Sequence, residues 1–117
     1  MNFKNVNDAK SVILEGYKMC EKAMEVGDVK TNNQIVKNKI TPAYEYLKEK
    51  GALDSLIPFL KDDDIGIRQK IAIALLPHYN DISINVLKDI VSMNDPKRSW
   101  KAEIVIREWE KNPKQYL

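Results

Sequence analysis

Leu56-Ile57-Pro58-Phe59-Leu60-Lys61-Asp62-Asp63-Asp64-Ile65-Gly66-Ile67-Arg68-Gln69-Lys70-Ile71-Ala72-Ile73-Ala74-Leu75-Leu76 is the stretch on which the fold turns. Leu53, Leu56, Ile57 and Leu60 recur at three- and four-residue spacing and so gather on one side of a helix. Past the acidic turn, Ile65, Ile67, Ile71, Ala72, Ala74, Leu75 and Leu76 cover most of a second helix's circumference, which predicts burial between neighbours. Asp64 stands where a side chain can accept hydrogen bonds from the free amides that open that helix. Asp62 and Asp63 lie at its positive dipole end, and Arg68 falls one turn in, where it can reach back to a turn carboxylate. The expectation is two helices folded back on each other around an acid–guanidinium clasp.

These residues resemble a HEAT repeat. Ile57, Leu60, Asp62, Ile67, Arg68 and Ala72 follow its pattern of apolar positions, turn Asp, Arg and small residue, and Pro58 matches the proline common in its first helix. A looser copy follows 30 residues on: Leu87, Ile90, Arg98, Ala102, Val105 and Ile106 align with Ile57, Leu60, Arg68, Ala72, Leu75 and Leu76, with Ser92 in place of the turn Asp. With Gly27-Asp28, Asn33 and the ending from Ala102 to Trp109, the chain is similar to a small bacterial HEAT-like family of unknown function, in which toxin-immunity roles are proposed. The resemblance implies an all-α fold, one HEAT-like domain over residues 1–117, built as a short right-handed superhelix of about three antiparallel helix pairs. In such a stack 29–50, 65–76 and 97–111 line the concave face, and Asn33, Asp62, Asp64 and Arg68 are structural rather than catalytic.

Composition agrees with a helical globular chain. Hydrophobic residues make up 44% and charged residues 31%, while four glycines and five prolines disfavour a β-rich fold. The formal charge of +2 names no partner, but it is unevenly spread. Residues 51–95 carry four basic and seven acidic side chains, and residues 96–117 carry six and three. One cysteine excludes an internal disulfide. The opening residues lack an apolar signal core and no run approaches about 18 apolar residues, so a cytoplasmic chain without membrane contact is expected.

Taken in order, residues 8–26 predict a first helix with Ala9, Val12, Ile13, Gly16, Cys20, Ala23 and Met24 inward and Tyr17 at the edge. Asn7 or Asp8 is the expected cap and Gly27 the left-handed stop. Cys20, in mid-stripe, reads as a small core hydrophobe. Residues 29–50 predict a long second helix whose inner stripe is Val29, Asn33, Val36, Ile40, Ala43, Tyr44 and Leu47, kinked or split at Pro42 and ended at Gly51. Residues 82–93 give a fifth helix, and Asp95-Pro96 caps a last one running to about Lys111.

Nothing here assembles a reaction centre. The single His78 sits in a turn far along the chain from Cys20, Gly16, Gly27, Gly51 and Gly66 stand alone, and the Asp62–Asp64 run lacks the spacing of a calcium loop. No enzyme, cofactor or metal is expected, and the leading reading is a protein-binding module, an immunity-type inhibitor of a toxin or an adaptor. Its candidate contact residues are Lys37, Lys70, Arg98, Trp100, Lys101, Ile104 and Arg107. Trp100 and Ile104 lie opposite the inner stripe of Ala102, Val105, Ile106 and Trp109. Their expected fate is packing beneath the preceding hairpin, the others being cover by Tyr116-Leu117 or exposure. The alternative is nucleic-acid binding, as in HEAT-like DNA glycosylases, which needs Lys30, Lys37, Arg68, Lys70, Arg98 and Lys101 to converge.

Overall fold

A computed structural model describes residues 3–112, and from Val6 to Lys111 they lie in helices or the turns between. The helices are α1 (Val6–Glu25), α2 (Val29–Ile35), a π-turn (Val36–Ile40), α3 (Thr41–Glu49), a 3-10 helix (Leu53–Lys61), α4 (Ile65–Leu75), α5 (Asn80–Ser92) and α6 (Ser99–Lys111). None of them is long and apolar enough to cross a membrane. Contacts divide the chain into two compact units, the first reaching Leu56 and the second beginning at Ile57.

In the first unit α1 packs against α2, the π-turn and α3. Ala9, Ile13, Gly16, Cys20 and Ala23 are its buried face, as the periodicity predicts, whereas Met24 at the end is half exposed. The cap is Asn5 rather than Asn7 or Asp8. Its Oδ1 accepts from Asp8 N at 2.9 Å, and Asp8 Oδ2 accepts from Lys4 N at 3.1 Å, so the helix begins two residues early. Gly27 closes the helix at φ 73°, with Asp28 N donating to Ala23 O at 2.8 Å. Asp28 then caps α2, taking Thr31 N at 3.1 Å and Thr31 Oγ1 at 2.7 Å, and these bonds hold its carboxyl below the usual range.

The long second helix is split as expected at Pro42, but the split changes which residues face inward. Pro42 has no N–H and its ring would crowd the carbonyl four residues earlier, so the backbone widens before it and Thr41 N donates to Val36 O, five positions back. That extra residue re-phases the helix. Ile35, Ile40, Ala43 and Leu47 are buried, while Val29, Val36 and Asn33 of the predicted stripe are exposed. Asn33 is therefore not a buried amide; its Oδ1 accepts from Asn32 Nδ2 at 3.4 Å.

Tyr44 crosses to α1 and shares a 2.7 Å hydrogen bond with Tyr17, hydroxyl to hydroxyl. Burial lifts both phenols, Tyr17 to about 12 and Tyr44 well above its ordinary value. The folded state thus holds protons that an unfolded tyrosine releases near 10.0, so this stability is full below pH 10 and lost as pH rises toward 12. In alkaline melts the wild type should lose about 2 kcal/mol more over that span than a Tyr17→Phe/Tyr44→Phe variant. Equal slopes would refute the buried pair.

In the second unit α4 packs on α5 and α5 on α6. The segment before the acidic turn is 3-10 rather than α-helical, with Pro58 inside it, where no amide is available for the α pattern. Asp64 caps α4 as predicted: its Oδ1 accepts from Gly66 N at 2.8 Å and Ile67 N at 3.3 Å, and Asp62 Oδ1 accepts from Asp64 N at 2.8 Å. Asp64→Ala should lower stability by about 1 kcal/mol in a denaturant titration, and an unchanged midpoint would remove the cap. The clasp is not formed. Arg68 is half-buried, its Nε meets no hydrogen-bond partner among the described residues, and no ion pair joins it to Asp62, Asp63 or Asp64. The carboxylates of Asp62 and Asp64 are turned to backbone amides instead, which satisfies the orphan donors of the turn.

Gly66, Ile67, Gln69, Ile71, Ala72 and Leu75 bury α4 on several sides. Leu87 and Ile90 of α5 and Ala102 and Val105 of α6 complete the interior. Ser83 is also fully buried, with its hydroxyl unpartnered among the described residues.

Candidate interaction surface

The candidate residues fall in both units. Lys37 is exposed on the π-turn of the first, and Asn33 lies beside it on α2. Lys70 and Arg68 are half-buried on α4 of the second. Arg98, Trp100, Lys101, Ile104 and Arg107 come together because α6 carries four of them and Arg98 immediately precedes its first residue.

Trp100 overturns the expected fate. It is 57% exposed, because Ala102 and Val105 turn inward and Trp100, two positions before Ala102, comes out about 200° round the helix. Ile104, one turn on, is half-buried. Tyr116-Leu117, the other proposed cover, lies outside the described residues. Lys97 and Lys101 are exposed on either side of Trp100, and Met93 at the end of α5 is 42% exposed.

The turn that presents Trp100 is tightly held. Asp95 Oδ1 accepts from Lys97 N at 2.9 Å and Arg98 N at 3.0 Å, the capping role expected of it, although regular helix begins only at Ser99. Ser99 Oγ donates to Ile90 O at 2.7 Å and accepts from Asp95 N at 2.7 Å, pinning the turn to the end of α5. Gln69, buried on α4, donates Nε2 to Arg98 O at 2.8 Å. Sequence reading missed Gln69 and Ser99. The available signal for Gln69 was an amide on a helix that is apolar nearly all round, since a buried amide needs a partner.

One turn beyond Trp100, an open groove of about 340 Å³ runs between α5 and α6, lined by Lys88, Val91, Glu103, Ile106, Arg107 and Glu110. Along its α6 wall, Arg107 Nη2 donates to Glu103 Oε1 at 2.8 Å, an exposed pair one turn apart that contributes little to stability. His78 and Cys20 stand away from the groove: His78 is exposed in the turn before α5, Cys20 buried on α1. Among the described residues no three His, Cys, Asp or Glu side chains are grouped as metal ligands. Compared with family models, curated proteins and solved structures, the chain gives no match in any of the three.

Proposed function

We propose that the chain is a non-catalytic protein-binding module whose anchor is Trp100. The observation that carries this reading is a tryptophan 57% exposed on a turn fixed by side-chain hydrogen bonds from Asp95, Ser99 and Gln69. A large aromatic left in water costs free energy that partner binding recovers, and tryptophan flanked by cations is the composition of interface hot spots. The HEAT-like reading of the second unit belongs to the same proposal. It is supported by the repeat alignment, in which Leu60 and Ile90, Ala72 and Ala102, and Leu75 and Val105 are all buried, and by α4 and α6 standing at the matching second-helix positions.

Trp100→Ala separates anchor from core. The melting temperature should stay within about 2 °C of wild type, while capture of a protein partner by the immobilised chain is lost. A stability loss of several kcal/mol, as for core aromatics, or undiminished capture of the same partner would end the reading.

A further inference from the structure

Resting on that reading, we infer the partner's chemistry: the α5–α6 turn is a preformed docking patch for an acidic peptide segment bearing one apolar side chain. Residues 93–101 expose two cations, Lys97 and Lys101, against the single carboxylate of Asp95. Asp95 is turned inward onto two backbone amides, and the next carboxylate along α6, Glu103, is engaged by Arg107 at 2.8 Å. The positive end of the α6 dipole adds to the same field. What faces solvent beside Trp100 and Met93 is therefore cationic, and its complement is anionic.

The size of the patch selects among anionic partners. Single-stranded nucleic acid is held by successive aromatic platforms along a charged track. Here one indole stands with two exposed lysines within a single helical turn, enough for one apolar side chain on the ring and two or three carboxylates around it. The hydrogen bonds of Ser99 to Ile90 O and of Gln69 to Arg98 O fix the turn in advance, so docking orders little of this chain.

The probe is a ten-residue capped peptide of Asp and Glu with one central Leu, titrated at 50 mM salt and followed by fluorescence anisotropy. Its Asn/Gln counterpart and a ten-nucleotide oligo-dT serve as comparisons. The acidic peptide should bind, weaken at least about tenfold with Trp100→Ala and again with Lys97→Gln/Lys101→Gln, and weaken on raising the salt to 200 mM. The amide peptide should not bind. Absence of acidic-peptide binding, binding indifferent to Trp100→Ala, or tighter binding of oligo-dT would overturn the assignment. If the acidic peptide fails while Trp100→Ala still abolishes capture of a protein partner, the acidic assignment falls and the Trp100 anchor stands. If capture also survives Trp100→Ala, both fall.

Discussion

Gly16→Leu is expected to destabilise the protein by about 3 kcal/mol, and Gly16→Ala by about 1 kcal/mol, in denaturant unfolding. A Cβ built at Gly16 lies 2.7 Å from Ile40 Cγ1 and 3.1 Å from its Cδ1. The atom struck first is a branch carbon of a side chain only 4% exposed, not a mobile tip, so relief requires Ile40 and the backbone under it to shift. Alanine in place of glycine gains about 1 kcal/mol of helix propensity, which offsets part of the clash for Gly16→Ala but not the added branches of leucine. The clash has a partner-specific signature. In a Gly16→Ala/Ile40→Ala double mutant the combined loss should fall short of the sum of the single losses, because removing Cγ1 empties the space the new methyl needs. Strict additivity would show that α1 and the π-turn do not meet there.

Leu75→Ala should cost about 3 kcal/mol and lower the melting temperature by on the order of 10 °C. Leu75 is fully buried on α4, the helix that packs on α5. Truncation removes its transfer free energy and leaves a cavity that a close-packed interior fills only in part. The informative comparison is Ile73→Ala on the same helix. Ile73 is half-buried, so its loss should be clearly smaller. Equal losses would contradict the orientation of α4, and a loss below about 1 kcal/mol at Leu75 would contradict its burial.

How far the sequence was legible depended on whether helical period ran unbroken. On α1 nothing interrupts it, and the stripe from Ala9 to Ala23 could be read residue by residue. On α4 the near-continuous apolar run foretold burial on several sides, and Asp64 foretold its own cap. Between Val29 and Leu47 the same arithmetic failed. Pro42 announced a break but not its kind, so a stripe continued at α-helical period placed Val29, Asn33 and Val36 inside and passed over Ile35. Pro58 was read as the proline common in the first helix of a HEAT repeat, whereas the whole of Leu53–Lys61 tightens to 3-10 around it. Arg68 illustrates a different limit: charge pairing was inferred from proximity in sequence, whereas the turn's backbone amides had prior claim on the carboxylates. Of the candidate surface, the composition around Trp100 was visible; its exposure and the buried amide of Gln69 that steadies it depended on tertiary packing.

The widened turn at Val36–Ile40 amounts to one surplus residue spliced into an otherwise ordinary helix. Everything after it is rotated by one step, about 100°, from where an uninterrupted cylinder would carry it. Any relative lacking both the proline and the surplus residue would keep the same inner surface only with a one-position gap in its alignment here. A search that slides a fixed periodic template across residues 29–49 therefore matches one half of the helix or the other, never both in the same frame.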